Sequence, residues 1–436
     1  MRISWKVARY DMRISWKVAY LSFSVHNYCM EADILARVNP HWDNGFSCDY
    51  PKKRKLFAEI IENIDKSLIA AISGPRRTGK TVLLKQAIDF LVERGEKREH
   101  ILYFPFEENI ENLSDAIKNW EALFSLNLRK GKYYVFLDEI QYLEDWGSKI
   151  KLFYDSYPNI KFFISGSSSL HIRKGKESLA GRIIEFMLPP LSFSEYLDFK
   201  GIKAKTFSQY EQYLYSQLPE IITGEFAPHK YMETLVKKVI YEDAPKLYKI
   251  ESPEFFENIF RFICREPGQI INYEDVSKDF GMNRNTVSKY MEILENSLLV
   301  RKVYNFSRNA RKTEIKSKKF YPFFPSLCAY IYPTAPDFSL LAETDVAMKL
   351  NAQYFHNDEG REIDFLAGED LEIGIEVKMR KRIDESDIKT LLKNHLGLKK
   401  RMLIVLPDSE IRFNAEEKGI EVESILEFQD RVHNGL

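Results

Sequence analysis

The sequence predicts an α/β protein whose first large domain is a parallel sheet covered by helices on both faces. Apolar runs at residues 67–72, 101–104, 133–137 and 160–164 read as buried strands. Helical stretches separate these runs, and the alternating β-α-β-α-β order is typical of a parallel sheet. The chain has 436 residues, enough for about three domains with cores of their own.

The composition excludes several classes of protein. Lys+Arg and Asp+Glu number 64 each, so any affinity for nucleic acid must come from local patches. The four cysteines form no C-x-x-C pair, which argues against a disulfide framework or a zinc site. No apolar stretch approaches the ~20 residues of a membrane span, and Met1–Lys6 does not read as a signal peptide. We therefore expect a cytoplasmic protein with no membrane partner.

The N-terminus carries an exact duplication. The motif MRISWKVA occurs at Met1–Ala8 and again at Met12–Ala19. Two copies are too few for a repeat fold. We interpret residues 1–38 as an extension that arose by recent duplication or by an overlong gene model, with Met12 or Met30 as the true start.

The segment Gly74–Thr81 has the spacing G-x-x-x-x-G-K-T of a phosphate-binding loop. It lies between a predicted strand and a helix-like stretch at residues 80–94, which is the context that the motif requires. Loop N–H groups and the positive end of a helix favour phosphate oxygens. We expect Lys80 to contact the β- and γ-phosphates of ATP, and the Thr81 hydroxyl to bind Mg²⁺. The residues expected to hold the nucleotide are Gly74, Pro75, Arg76, Arg77, Thr78, Gly79, Lys80 and Thr81.

Two acids follow the predicted strand at residues 133–137. Ligands bind at the carboxyl ends of parallel strands, so Asp138 and Glu139 are expected near the phosphates. Asp138 would hold Mg²⁺, and Glu139 would orient and deprotonate the attacking water. An ordinary acidic pair at a strand end is the alternative, but together with the loop the pair predicts an ATPase.

Two further groups are candidates for the same reaction. We expect Ser165 or Ser167, which follow the strand at residues 160–164, to contact the γ-phosphate or the attacking water. A serine-rich turn without a catalytic role accounts for these residues equally well. Arg182 is either an arginine finger, in cis or from a neighbouring subunit, or a surface salt bridge. If a neighbouring subunit supplies the arginine finger, the protein would be a homo-oligomer.

A helix-turn-helix is predicted further along the chain. Residues 272–280 and 284–294 read as two short helices joined by a tight turn at 281–283. The core face of the second helix is predicted to consist of Val287, Tyr290, Met291 and Leu294. Its outward face would present Arg284, Asn285, Ser288 and Lys289.

A basic stretch follows these helices. Between Arg301 and Lys319 there are eight basic residues and one acid, a local charge of +7. Such a patch is a reasonable footprint for DNA phosphates. The alternatives are a protein-docking unit and a run of solvated charges.

The last part of the chain contains a constellation of charged residues. Glu376 and Lys378 share one face of a predicted strand, Asp364 lies on the preceding strand, and Glu343 lies upstream on a helix-like stretch. This is the pattern of the PD-(D/E)xK nucleases, in which Asp364 and Glu376 would hold Mg²⁺ or Mn²⁺ and Lys378 would stabilise the attacking hydroxide. A solvated strand face and a domain that binds nucleic acid without cutting it are the alternatives.

Four segments taken together resemble a known family. They are similar, in their order along the chain, to segments of the AAA-type ATPases of archaea and bacteria. The four segments are GPRRTGKT, FLDEIQYL, FISGSSSL and SLAGRIIEFMLPPLSFSEYL. More narrowly they resemble a predicted family in which the ATPase core precedes a winged helix and a nuclease-like domain. The resemblance implies that residues 39–190 form a P-loop AAA core, which has an extra central strand. It also implies a helical lid at 191–250, a winged helix at 251–320 and a small α/β PD-(D/E)xK-like domain at 321–436.

These observations predict Mg²⁺-dependent ATP hydrolysis coupled to DNA binding, with DNA cleavage as a further activity if the last domain holds a metal ion. The alternative is a nucleotide-dependent regulatory switch whose last domain is a non-catalytic docking module. ATP and DNA are the expected partners.

Overall fold

The computed structural model describes residues 33–106, 113–166, 179–224, 227–331, 336–358, 360–393 and 396–431. The duplicated N-terminal motif and Ser167 lie outside these ranges. The contacts divide the chain into two units, which we describe separately. The first comprises the described residues up to Ser73, 80–166 and 179–186, and the second comprises the loop 74–79 and the described residues from Met187 onward.

The first unit is built on the predicted parallel sheet. Its strands are β1 (Ile69–Ser73), β2 (Ile101–Pro105), β3 (Tyr133–Asp138), β4 (Ile160–Gly166) and β5 (Ile183–Met187), in the order β2-β3-β4-β1-β5. The pairs β1–β4, β3–β4 and β2–β3 are parallel. Strand β4 therefore lies between β1 and β3, and the predicted parallel sheet with an added central strand is confirmed.

Helices cover this sheet. They are α1 (Leu56–Glu62), α2 (Lys80–Glu93), α3 (Leu113–Phe124) and α4 (Trp146–Ser156). Every residue of β3 and β4 is buried, as expected for strands that are covered on both faces. In the centre of the sheet, the rings of Phe136 and Phe163 stack at 4.5 Å. The side chains at the ends of these strands therefore project from a densely packed core.

The second unit begins with short helices, in agreement with the helical pattern of residues 191–250. They are α5 (Phe193–Lys200), α6 (Phe207–Leu214), α7 (Pro219–Thr223), α8 (Pro228–Lys238), a π-helical turn at Val239–Asp243, and α9 (Ala244–Leu247). Ser192 and Glu195 form a capping box at the start of α5. Single π-turns inside helices are rare and often lie at functional positions.

The next segment contains the two helices predicted from the sequence. Its elements are α10 (Pro253–Arg265), β6 (Gln269–Ile271), α11 (Tyr273–Asp279), α12 (Arg284–Asn296), β7 (Val300–Asn305), α13 (Ala310–Ile315) and β8 (Lys318–Pro322). The predicted core face of α12 is confirmed, because Val287, Tyr290, Met291 and Leu294 are all buried. The basic stretch is not one continuous segment but is divided among β7, α13 and β8.

The final elements alternate again between strand and helix. They are α14 (Phe338–Lys349), β9 (Tyr354–Asp358), β10 (Arg361–Ala367), β11 (Ile373–Lys378), β12 (Arg382–Ile383), α15 (Lys389–Leu392), β13 (Lys400–Val405), β14 (Glu410–Ile411), β15 (Glu421–Ser424) and α16 (Ile425–Arg431). Strands β10 and β11 form the antiparallel hairpin expected from the sequence.

One sheet joins the two last predicted domains. Its order is β15-β13-β11-β10-β9-β7-β8-β6, with β7 parallel to β9. One hydrophobic core extends from Phe193 to Phe428. The predicted boundary at residue 320 falls inside strand β8. Strand β7 pairs with β8 along one edge and with β9 along the other, so the sheet continues across this boundary. In the part of the chain that the structure describes, no helix has the length and apolar character needed to cross a membrane.

Candidate functional site

The loop between β1 and α2 has the backbone that the phosphate-binding motif requires. A Cβ atom on Gly74 would lie 2.2 Å from the Leu188 carbonyl oxygen, so only glycine fits there. Arg77 and Gly79 have φ angles of 66° and 98°, in the left-handed region. The Thr78 hydroxyl donates to the Pro75 carbonyl oxygen at 2.9 Å and stabilises the turn. Helix α2 starts at Lys80, whose side chain is buried.

Asp138, at the end of β3, is the centre of a hydrogen-bonded network. The Thr81 hydroxyl donates to its Oδ2 at 2.6 Å, and the Tyr103 hydroxyl donates to the same oxygen at 2.8 Å. The Ser165 hydroxyl donates to Oδ1. Parallel strands β2, β3 and β4 bring these side chains to one edge of the sheet. The structure thus unites three predicted residues, Thr81, Asp138 and Ser165, and adds Tyr103, which sequence reasoning missed.

These groups fit the magnesium ion that the motifs imply. A hydroxyl and a carboxylate are oxygen ligands of the kind that Mg²⁺ prefers. Asp138 is 2% exposed, and its carboxylate accepts hydrogen bonds from three hydroxyl groups. Hydrogen bonds from hydroxyl groups favour the ionised form of a carboxylate, which is the form that binds a cation.

Glu139, the predicted base, has an unusual backbone conformation. Its φ angle of 54° is left-handed, which is costly for a residue other than glycine and is common at active sites. Its N–H donates to the Ser165 hydroxyl at 3.3 Å, and the Gln141 amide donates to its Oε2 at 2.5 Å. Gln141 therefore orients the predicted base. It lies two residues downstream in the same motif, but nothing in the sequence pattern marks this contact.

Arg182 forms a bidentate ion pair within the first unit. Its Nε and Nη2 atoms lie 2.9 and 3.3 Å from the two carboxylate oxygens of Asp155 on α4. This is the salt-bridge arrangement considered as one alternative from the sequence. The assignment of Arg182 as an arginine finger stays a prediction.

The two arginines of the phosphate-binding loop contact carboxylates of the helical segment. Arg76 lies 2.8 Å from Asp243, the last residue of the π-helical turn, and both side chains are largely buried. Arg77 lies 3.0 Å from Glu220 on α7, in a half-exposed pair. In this conformation both guanidinium groups therefore have carboxylate partners.

A second candidate site lies in the second unit. We call Glu343, Glu362, Asp364 and Glu376 the C-terminal carboxylate cluster. Lys378 contacts two of its members, at 2.6 Å from Glu376 Oε1 and 3.6 Å from Asp364 Oδ2. The structure therefore brings the predicted residues Glu343, Asp364, Glu376 and Lys378 into one neighbourhood.

Lys319, which sequence reasoning placed in a DNA-binding patch, lies inside this cluster. Its ammonium nitrogen is 2.6 Å from Glu362, 3.4 Å from Glu343 and 3.5 Å from Asp364. The Tyr321 hydroxyl donates to Glu343 Oε1 at 2.6 Å. The sequence contains no signal for this placement, since Lys319 precedes Asp364 by 45 residues.

Burial perturbs the carboxylates of the cluster. Desolvation and then the charge of Asp364 raise the pKa of Glu376 to about 8. Desolvation also raises the pKa of Glu343. At Asp364 desolvation acts in the same direction, but the nearby charges of Lys319 and Lys378 outweigh it, and its pKa is lowered. The cluster is therefore organised around ammonium groups.

The predicted metal assignment of Asp364 and Glu376 does not fit this arrangement. Both oxygens of Asp364 are engaged, Oδ1 with Lys319 and Oδ2 with Lys378 and the Val377 N–H. Within the described residues no group of three or more His, Cys, Asp or Glu side chains is arranged to hold a metal ion. A divalent ion would have to displace the lysines first.

The predicted DNA footprint is smaller in the structure than in the sequence. Arg301 donates to Asn351 at 2.7 Å, Lys302 pairs with Glu295 at 2.6 Å, and Lys319 is buried in the carboxylate cluster. The Lys318 ammonium donates to main-chain carbonyl oxygens. The exposed basic residues of the stretch are Arg308, Arg311 and Lys312. The charge of +7 is therefore only partly available to a ligand.

Comparisons with known proteins match the part of the chain that contains the first candidate site. Residues 66–197 match a family model described as an AAA domain, and residues 206–336 match one described as a domain of unknown function. An uncharacterized protein of Haemophilus influenzae is 26% identical over 85% of this chain and 96% of its own. One of Methanocaldococcus jannaschii is 28% identical over 63% of this chain and 64% of its own.

The AMPPCP-bound DnaA of Aquifex aeolicus is among the similar solved structures. It aligns with 55% of this chain and 86% of its own, at 14% identity and a TM-score of 0.29. The AAA-domain match, which spans the loop, Asp138 and Glu139, supports nucleotide binding and hydrolysis.

Proposed function

We propose that this protein binds Mg²⁺·ATP at the loop 74–81 and hydrolyses it. The observation that carries the proposal is the 2.6 Å hydrogen bond between the Thr81 hydroxyl and Asp138. It joins the first turn of α2 to the end of β3, the two points between which the magnesium ion of a phosphate-binding loop is held. The AAA-domain match over residues 66–197 supports the same conclusion.

Each residue has a distinct role in this proposal. Lys80 and the loop N–H groups would bind the phosphates, and Thr81 and Asp138 would hold the ion, whose positive charge would stabilise the charge that develops on the phosphate oxygens. Glu139 takes the proton of the attacking water, a contribution of about 10²- to 10⁴-fold. Gln141 orients the Glu139 carboxylate, and Ser165 fixes the backbone there through the Glu139 N–H.

The arginine contacts favour a second role, that of a nucleotide-dependent switch. Phosphate groups carry negative charge and compete with Asp243 and Glu220 for the guanidinium groups of Arg76 and Arg77. Nucleotide binding would therefore weaken two ion pairs between the loop and the helical segment. Because a ligand shifts a conformational equilibrium by its differential contacts, these pairs are the route by which a nucleotide bound at the loop would act on the helical segment.

Contact with DNA is a further proposal, restricted to α11–α13. The exposed residues Arg308, Arg311 and Lys312 and the two short helices support it as a phosphate-binding face. Cleavage would need a divalent ion at Asp364 and Glu376, and the lysines in contact with both argue against it.

ATP binding by a Lys80→Ala variant tests the main proposal. Loss of a charged contact to two phosphates, each worth about 1.5–3 kcal/mol, should weaken ATP binding by about 100-fold or more. Isothermal titration calorimetry with Mg²⁺ present measures this effect. Lys118→Ala is the matched control, since Lys118 is 72% exposed on α3. Equal ATP affinity in the Lys80→Ala variant and the control would refute the proposal.

A further inference from the structure

The ammonium group of Lys319 occupies the middle of the C-terminal carboxylate cluster. It lies 2.6–3.5 Å from carboxylate oxygens of three acids on two elements, Glu343 on α14 and Glu362 and Asp364 on β10. The Lys319 side chain is 3% exposed. A lysine this deeply buried requires close negative partners, because the cost of removing its charge from water must be offset. The contacts to three carboxylates meet that requirement.

Lys319 reaches the cluster across the sheet. It belongs to β8, where its backbone is opposite Val303 of β7 and Ile270 of β6. In the sheet order, β7 and β9 separate β8 from β10. The side chain therefore connects a strand of the predicted winged-helix segment to the strands that carry the predicted nuclease residues.

A second lysine completes the charge compensation. The Lys378 ammonium lies 2.6 Å from Glu376 and 3.6 Å from Asp364, and the Val377 N–H donates to Asp364 Oδ2 at 2.9 Å. Asp364 is thus held between two ammonium groups, one on each oxygen. In a metal-dependent nuclease a carboxylate in this position must offer a lone pair to the ion.

We propose that Lys319 is the resident cation of this cluster, that it takes the place a divalent ion would need, and that the cluster holds β8, α14 and β10 together instead of binding metal. The proposal does not depend on ATP hydrolysis at the first site. Mg²⁺ requires near-octahedral oxygen ligands at about 2.0–2.1 Å. The Lys319 ammonium nitrogen lies 3.4 Å from Glu343 and 3.5 Å from Asp364, so it occupies the space in which an ion would contact these two acids.

Mn²⁺ binding to the full chain without nucleotide tests the proposal, with free Mn²⁺ measured by electron paramagnetic resonance. Lys319→Met keeps most of the side-chain volume and removes the charge. This variant is expected to bind one additional Mn²⁺ per chain, at least about tenfold more tightly than any binding at this cluster in the unaltered protein. Adding Asp364→Asn should abolish the gained site.

Lys318→Met is the matched control. Lys318 is the neighbouring residue on β8, and its ammonium donates to the Glu314 and Lys316 carbonyl oxygens rather than to the cluster. It should gain no Mn²⁺. A Lys319→Met variant that folds and gains no site would overturn the proposal.

If Lys319→Met does not fold, the unaltered protein and its Asp364→Asn variant decide the question. Equal Mn²⁺ stoichiometry in these two proteins supports Lys319 as the resident cation. Loss of one bound Mn²⁺ with Asp364→Asn would show that the cluster already takes a divalent ion, and would overturn the proposal. ATP turnover measured on the same samples reports on the first site separately.

Discussion

Removal of the Tyr103 hydroxyl should slow ATP turnover without preventing ATP binding. This hydroxyl donates to Asp138 Oδ2 at 2.8 Å, and Asp138 is 2% exposed. A hydrogen bond to a charged group contributes about 1.5–3 kcal/mol, and we use the lower end because Thr81 and Ser165 still donate to Asp138 in a Tyr103→Phe variant. A loss of about 1.4 kcal/mol corresponds to a factor of about ten in rate. We therefore expect kcat to fall about tenfold.

Steady-state phosphate release, with unfolding in urea as a second measurement, checks this prediction. The KM for ATP should stay within about threefold, because Lys80 and the loop are unchanged. The matched control is Tyr133→Phe, at the other end of β3, whose hydroxyl donates to the Asn127 and Lys130 carbonyl oxygens. It should lower stability but not kcat. A Tyr103→Phe variant with the kcat of the unaltered protein would refute the role assigned to this network.

Three further predictions concern other parts of the molecule. Asp243→Asn removes the charge opposite Arg76, 2.8 Å away, and should tighten ATP binding by about three- to tenfold in calorimetry. Burial lowers the pKa of His41 to about 4. Between about pH 4 and 6.5 the unfolded chain therefore binds more protons than the folded chain. The free energy of unfolding should fall by about 3 kcal/mol as the pH drops through that window. Replacing Arg311 and Lys312 by alanine should reduce the salt slope of DNA binding by about 1.8 if both contact phosphates.

Each of these predictions has a control. Glu242→Gln neighbours Asp243 and should leave ATP affinity unchanged; an equal effect of both variants would contradict the assigned contact. His41→Gln should flatten the acid dependence of urea unfolding, and an unchanged profile would exclude His41 as its source. Lys302→Ala removes a lysine that pairs with Glu295 and should leave the DNA salt slope as it is. No difference between this variant and the double alanine variant would contradict the proposed face.

The residues of the proposed nucleotide site could be picked out of the sequence because they lie in short contiguous motifs. Gly74–Thr81 is a contiguous motif, and Asp138 and Glu139 follow an apolar strand directly. Once the strands are taken as parallel, their carboxyl ends must lie at one edge, which brings Thr81, Asp138 and Ser165 together. The core face of α12 followed from helical periodicity for the same reason.

The contacts missed from the sequence are those that depend on strand order. Tyr103 contacts Asp138 because β2 lies beside β3, and the two residues are 35 positions apart. Lys319 contacts Asp364 because β8 and β10 share one sheet, which the predicted division at residue 320 would have separated. A charge count assigns Lys319 to a surface patch, since it contains no information on burial.

The assignment of the basic stretch shows the same limit. Eight basic residues over a short segment predict a phosphate footprint. Folding places part of this charge against acids and amides of the chain itself, such as Glu295 and Asn351. Only contacts in three dimensions distinguish a compensated charge from an available one.

The most direct test of the central claim is ATP turnover by the unaltered protein and by a Glu139→Gln variant, measured as phosphate release with Mg²⁺ present. The unaltered protein should release phosphate, and the variant should bind ATP with similar affinity but turn it over about 10²- to 10⁴-fold more slowly, because the base is lost while the loop and Asp138 remain. Equal turnover by the two proteins, or no ATP-dependent phosphate release by either, would contradict the account.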